Sequence, residues 1–384
     1  MTAVQWRRRG LLLFVLLLLA GAYGLQLHYQ HHHQQLSEQY LQQTEQMAVD
    51  FEQMLSQLQM HVRKLQQVAQ LNLHNFEPPR ELLQHLAPPE GAENSDVYTL
   101  DRWQQHSPQA QFGNVFLLGN PTTQSIQKEL RVVETLFPIS AANHLSDSAL
   151  QWSYYTSFVN RLTSIFPYRN YHGLLEDAEV ANLATFYERY LPIERRRQAI
   201  AELATVQAPI WRPPHRDRAG AGWVIALSAP VRHRGEVLGA VSTDVRLSFL
   251  SMQLARQSSA PERTMILDEE MRILADSRQS VETATRLEHW LERMPVQLQQ
   301  SAQKVSRDQP GWVDGDGMHF LTRPLANSQW IMVRMIPTGD LFFEARVRLL
   351  MLAIPLLTLW LFAAFFWYRY GMSLQERQQA IELS

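Results

Sequence analysis

Two uncharged apolar runs bracket the chain, and they limit what it can become more than any other feature. Residues 10–27 (GLLLFVLLLLAGAYGLQL) and 349–368 (LLMLAIPLLTLWLFAAFFWY) contain no Asp, Glu, Lys or Arg. At about 1.5 Å per residue, each is long enough to cross a hydrocarbon core of roughly 30 Å. The mean hydropathy of the 384 residues is only -0.25, so the stretch 28–348 is more polar than the chain as a whole. A plain cytosolic protein, a multi-span transporter and a disordered chain are excluded. At roughly 100–200 residues per domain, the length suggests two or three units.

Charge and cysteine content narrow the function classes. A net charge of -2 and a pI near 6.7 leave no basic footprint for nucleic acid. With no cysteine, disulfides, thiolate zinc sites and cysteine nucleophiles are ruled out.

Arg7-Arg8-Arg9 directly precede the first run, which predicts residues 1–9 on the cytoplasmic side and a first transmembrane helix over 10–27. A cleaved signal peptide has a similar pattern. However, the nearest small-residue site, Ala20-Gly21-Ala22, lies inside the run, which favours an uncleaved anchor. The second span, 349–368, returns the chain to the cytoplasm for residues 369–384. Residues 28–348 then lie outside the inner membrane, which in a bacterium is the periplasm.

Leu36, Tyr40, Met47, Phe51, Met54, Leu58, Val62, Leu65 and Val68 recur at three, four or seven residues, predicting one helix over 34–73. This is a stalk, 28–75, able to pack on its own domain or to form a dimer seam. Pro78-Pro79 and Pro88-Pro89 end it. Strand-like runs follow at 115–118, 164–166, 223–229 and 237–245, the last two joined by a turn at His233-Arg234-Gly235. Residues 176–205 read as helical between them. This predicts a membrane-distal lobe over 76–248. A connecting helix at 246–258 leads to a smaller, membrane-proximal lobe over 249–345. There, hairpins 264–275 and 319–336 flank a helical pattern at 281–306. Hairpin-type links indicate an α+β chain with antiparallel sheets.

This order resembles the double Cache (tandem PAS-like) sensor domains of bacterial signal-transduction proteins of diguanylate cyclase or histidine kinase type. The resemblance is carried by Gln151-Trp152-Ser153-Tyr154-Tyr155, by Ser164-Ile165-Phe166-Pro167-Tyr168, and by the segment Gly235 to Val245 (GEVLGAVSTDV), and it covers about residues 34–345. It implies two PAS-like antiparallel-sheet lobes on a long N-terminal stalk helix, flanked by two transmembrane helices. It also implies a small-molecule ligand and a cytoplasmic output domain or protein, and the stalk adds the expectation of a homodimer. Amino-acid-binding members share Arg-x-Trp-Tyr, with the arginine on the ligand carboxylate. Here Leu150 stands two before Trp152, which argues against an amino-acid ligand. Only Asp244 matches the aspartate that meets the ligand amine in those proteins.

Trp152, Tyr154, Tyr155, Phe166, Tyr168 and Trp211 offer apolar walls, most with polar tips, and Asp244 can receive a cation or an amine; these seven are the candidate ligand-binding residues. The competing reading is core packing for the aromatics and a helix cap for Asp244. The consecutive His31, His32 and His33 point in different directions on a helix and do not converge on one metal ion; His28 and His32 share a face, which offers too few ligands, so a polar interfacial segment is the reading. Asp314-Gly315-Asp316-Gly317 lacks the further ligands of a calcium loop and reads as a turn. Arg195-Arg196-Arg197 and His215-Arg216-Asp217-Arg218 read as solvated surface, an anion site being the lesser reading. No cofactor is expected. No phosphate-cradling glycine loop, GxSxG or HExxH is present, and residues 369–384 lack the proline of a HAMP linker. The expectation is a two-pass periplasmic ligand sensor without catalytic activity of its own. The alternative is an envelope interaction or assembly module without a small-molecule ligand.

Overall fold

The computed structural model describes residues 3–74, 77–79, 81–106, 112–220, 222–258, 261–281, 284–326, 328–341 and 343–382. Helix α1 (Ala3–His74) runs unbroken for 72 residues, because no proline interrupts it before Pro78. Phe51, Leu55, Leu58, Val62, Leu65, Ala69 and Leu73 form one stripe along it and are buried. The stalk therefore packs on its own domain over this half.

The distal lobe begins with α2 (Leu82–His85), β1 (Val97–Tyr98), α3 (Asp101–His106) and β2 (Asn114–Leu118). Helix α4 (Gln124–Ser146) follows, then β3 (Leu150–Ser157) and β4 (Leu162–Phe166). The stretch read as one helical region is three short helices, α5 (Tyr171–Ala178), α6 (Leu183–Tyr190) and α7 (Ile193–Ala204). Glu179, at φ 53, ends α5, Asn182 caps α6, and Pro192 precedes α7. Short strands β5 (Ile210–Trp211) and β6 (His215–Asp217) lead to the long hairpin β7 (Gly222–His233) and β8 (Glu236–Arg246). The antiparallel sheet has the order β1-β2-β4-β3-β8-β7-β5, with β6 also pairing with β7. Helices α1 and α4 cover one face; α5–α7 stand over the other.

The hairpin turn is formed by Arg234 and Gly235 at φ 53 and 88, the two positive angles of a type I′ turn. Gly239, four residues on, is required for another reason. A Cβ there would lie 2.4 Å from the Thr156 carbonyl oxygen and 2.8 Å from the Tyr155 hydroxyl. Because the first neighbour is backbone on the adjacent strand, Gly239→Ala should destabilise the chain by roughly 1–3 kcal/mol. Denaturant unfolding checks this, and a change under about 0.5 kcal/mol would contradict it.

Helix α8 (Leu247–Gln257) follows β8 directly and opens the proximal lobe. Strands β9 (Arg263–Leu267) and β10 (Ile273–Asp276) form the first hairpin. The helix expected over 281–306 is limited to a 3-10 turn (Trp290–Arg293) and α9 (Val296–Ala302), because Pro295 cannot continue a helix; residues 282–283 lie outside the described residues. Strands β11 (Gly311–Gly315), β12 (Met318–Pro324) and β13 (Ile331–Pro337) complete the antiparallel sheet β10-β9-β13-β12-β11. Asp316-Gly317 is the turn between β11 and β12. Helices α10 (Thr338–Leu341) and α11 (Phe343–Glu382) end the chain.

Among the described residues, one segment, Arg346–Ser373 in α11, is long and apolar enough to cross a membrane, with a hydropathy of 2.4. The first apolar run is the N-terminal part of α1. There Phe14 packs against Trp360 and Trp367 of α11, at ring centroid distances of 5.9 and 5.4 Å.

Candidate functional site

In the distal sheet, Trp152 lies opposite Asp244 and Asp244 opposite Ala226; Tyr154 lies opposite Ser242 and Ser242 opposite Ser228. Side chains alternate along a strand, so these six share one face with Thr156 and Ala240. Helices α5–α7 and the segment 209–220 stand over that face without filling it. Two apolar clusters flank the gap: Phe116, Tyr171, Leu175, Leu183 and Tyr187 in one, Phe158, Leu203, Val237 and Ala240 in the other. Between them lies a cleft of about 1830 Å³.

The floor of the cleft is polar. Tyr154 Oη donates to Asp244 Oδ1 at 3.0 Å, and His215 Nε2 lies 3.8 Å from Asp244 Oδ2. The hydroxyls of Ser228 and Ser242 are 2.8 Å apart. Burial pushes the Asp244 carboxyl up to about 6, with His215 and the Tyr154 hydroxyl opposing the shift. Burial and the neighbouring Asp244 likewise hold the Tyr154 hydroxyl well above its ordinary range. Trp152 Nε1 donates to Asp217 Oδ2 at 3.1 Å, tying β3 to β6.

The walls are charged. Arg169 binds Asp177 through two bonds of 2.8 and 2.7 Å, Arg212 meets Glu202 at 2.5 Å, and Arg218 reaches Glu179 at 3.4 Å. Arg195, Arg196, His215, Arg216, Asp217 and Arg218 all line the cleft. Arg195, His215, Arg216 and Arg218 are exposed there, in keeping with their reading as solvated surface, and the surface they form is the wall of the cleft. Their charge is plain in the sequence, but α7 and β6 stand over the sheet face only because of tertiary packing.

Of the seven candidate residues, Tyr154 lines the cleft; Asp244 and Trp152 share its sheet face and are bonded to lining residues, Asp244 to Tyr154 and Trp152 to Asp217, without lining the cleft themselves. The other four lie elsewhere. Tyr155 points to the opposite face, fully buried, and donates to Glu129 Oε1 at 3.2 Å. Phe166 lies opposite Ser153, on that same inner face, and packs against His144 at 5.0 Å. Tyr168 donates to Asp101 Oδ1 at 2.8 Å in a separate hollow of about 540 Å³. Trp211 also faces away from the cleft and packs against Trp330 of the proximal lobe at 4.9 Å. Among the wall arginines, Arg195, Arg196 and Arg216 carry the lesser, anion-site reading of the sequence, whereas Arg169 and Arg212 were missed and have one signal there: arginine density between 161 and 218. Among the described residues, no group of three His, Asp or Glu side chains is placed to hold a metal ion.

No family model and no curated protein matches the chain. Solved structures similar in layout include the ligand-binding domain of the Pseudomonas aeruginosa amino acid chemoreceptor PctB, bound to L-Arg. It is 12% identical, with 82% of this chain and 92% of that chain covered, at a TM-score of 0.47. The ligand-binding domain of the Campylobacter jejuni chemoreceptor Tlp3, bound to 4-methylisoleucine, is 10% identical, with 80% and 93% covered, at 0.46. That of the Pseudomonas fluorescens chemoreceptor CtaA, bound to L-isoleucine, is 12% identical, with 81% and 96% covered, at 0.45. At these scores the likeness is one of outline, and the chemistry of the cleft is this chain's own. Two antiparallel lobes carried on one long helix are the layout that the double Cache resemblance implies.

Proposed function

We propose that the chain is the sensing half of a membrane signalling protein and that its distal cleft takes a small molecule. The observation that carries this is the cleft itself, a polar-floored space on a sheet face that is otherwise sealed by apolar clusters at its flanks. A structural face would be packed; this one keeps Tyr154, Thr156, Ser228 and Ser242 around open space.

The chain's connections suit a relay. Asp244 lies three residues before α8, whose Ser251 hydroxyl accepts from the backbone N–H of Asp276 on β10 at 3.2 Å. In the middle of the same sheet, β13 leads through α10 into α11. A ligand that binds one arrangement of the distal lobe better than another can therefore bias the position of α11. The reading includes two membrane passes, with 28–348 in the periplasm, and the Phe14 contact with Trp360 and Trp367 supports pairing of the two spans. It also includes a homodimer along the stalk. The output is of diguanylate cyclase or histidine kinase type, on the same chain or on a partner.

The test is thermal unfolding of the full chain in detergent micelles against amino acids, organic acids, sugar phosphates and polyamines. A ligand at 100 times its Kd adds about 2.7 kcal/mol of stability, a readily measured rise in Tm. Tyr154→Phe should weaken that ligand about tenfold, the loss of one buried hydroxyl contact. If no compound raises Tm while a protein partner co-purifies, the chain is an envelope interaction module instead.

A further inference from the structure

We propose that the distal cleft takes an anion with at least two negative charges, a carboxylate or a phosphate, held by Arg195, Arg196 and Arg216. The proposal rests on the cleft being a ligand site and names the class of ligand.

Six arginines line the cleft, and three are neutralised within it: Arg169 by Asp177, Arg212 by Glu202 and Arg218 by Glu179. The other three have no carboxylate partner among the described residues. Arg195 and Arg196 donate only to the backbone carbonyls of Tyr190 and Phe158, at 3.1 and 3.4 Å. The Nε of Arg196 is buried without any partner. Arg216, exposed on β6, has no hydrogen bond or ion pair among the described residues.

The positive charge comes from two walls, α7 and β6. Guanidinium groups bind carboxylate and phosphate through paired N–H donors, which suits a ligand reached from both sides. The acidic groups do not balance them. Asp177, Glu179 and Glu202 are already paired, Asp217 accepts from Trp152 and from the Ala219 backbone, and Asp244 is engaged by Tyr154 and faced by His215. Glu176 is the one further carboxylate on the lining, and it is exposed. An ammonium group therefore finds its natural partners occupied, whereas an anion finds three open guanidinium groups. The floor hydroxyls of Thr156, Ser228 and Ser242 suit hydroxyl groups on the same ligand. The volume, about 1830 Å³, exceeds the roughly 300–1,000 Å³ usual for small-molecule pockets, leaving room for more than a single amino acid.

The experiment follows thermal unfolding of the full chain in detergent micelles with succinate, inorganic phosphate, pyrophosphate and L-leucine, each against sodium chloride at the same ionic strength. At least one of the three anions should raise Tm saturably where chloride does not, and the carboxylate and phosphate arms identify the source. Arg216→Ala, on an exposed side chain, should weaken that anion at least fivefold while leaving the ligand-free Tm unchanged; Arg195→Ala is the second variant. A rise with L-leucine alone overturns the anion assignment and leaves the cleft standing as a ligand site. Equal anion affinity in both variants, or no rise with any anion, also overturns it.

Discussion

Replacing Arg334 with alanine should lower the stability of the full chain by about 3–5 kcal/mol, the largest effect expected of any single substitution considered for this protein. Arg334 sits on β13, only 4% exposed. Its Nε and Nη2 donate to Glu262 Oε2 at 2.8 and 2.5 Å. Its other bonds reach the stalk: Nη1 to Thr44 Oγ1 at 3.1 Å and Nη2 to Gln43 Oε1 at 3.2 Å, with the Tyr40 ring 5.0 Å from the guanidinium. One side chain thus satisfies a buried carboxylate and fastens α1 to the proximal sheet. Alanine leaves Glu262 buried and unpaired, which is the expensive outcome. Arg334→Met with Glu262→Leu should recover most of the loss, since two apolar groups need no partner. Denaturant unfolding of the single and double variants checks both statements. A loss under about 1 kcal/mol for the single variant would show that water already reaches Glu262.

The second large effect concerns acid. Between pH 7 and pH 4, His61→Leu should gain roughly 3 kcal/mol of stability relative to the unsubstituted chain. His61 lies on α1, 8% exposed, with neither ring nitrogen partnered. Burial, helped by Lys64, pushes its pKa down to about 4 from 6.5. Below pH 6.5 the unfolded chain takes up a proton that the folded site refuses. Stability is therefore full above 6.5 and is lost as pH falls toward 4. His144 on α4, its Nε2 3.0 Å from Ser153 Oγ, is pushed down to about 4 by burial and by His61, with Asp147 opposing, and acts in the same direction.

Two carboxyls act in the opposite sense. Burial pushes Glu129 up to about 7, against hydrogen bonds from Asn160, Ser157 and Tyr155, and Asp244 up to about 6. The folded chain protonates these first, so their contribution is full below the ordinary carboxylate range and is lost as pH rises through those values. The four groups largely offset one another, and single substitutions uncover them. Glu129→Gln should make the chain lose stability more steeply on acidification, whereas His61→Leu should make it lose less. Unfolding free energies measured across this range decide the matter; parallel pH profiles for His61→Leu and the unsubstituted chain would refute the assignment.

The site was half legible in the sequence. Tyr154, a polar-tipped aromatic in the sequence, lies at the cleft floor, and Asp244 lies beside it as its hydrogen-bond partner. Tyr155 has the same polar-tipped aromatic chemistry, yet strand geometry forbids adjacent residues from sharing a face. That rule, applied to β3, separates Trp152 and Tyr154 from Ser153 and Tyr155 without any structure. Helix α4 was also readable, since Ile126, Leu130, Val133, Phe137 and Ala141 recur at three or four residues and are buried. Its internal Pro138 and the strand-like runs on either side obscured it. Residues 281–306 misled in the other direction, because helical periodicity continued across Pro295.

By itself, the sequence determined the elements whose cause is local. The stalk helix follows from an apolar stripe uninterrupted by proline, the hairpin turn from Gly235, and the long apolar segment of α11 from its composition. Only the tertiary structure decided which charges face one another. Arg195 and Arg196 lie about twenty residues from Arg216 along the chain, and Asp244 is farther still. They meet because α7 and β6 fold back over one face of β3, β8 and β7. Sequence spacing reports which side of an element a residue occupies; what that side faces depends on the packing of elements far apart in the chain.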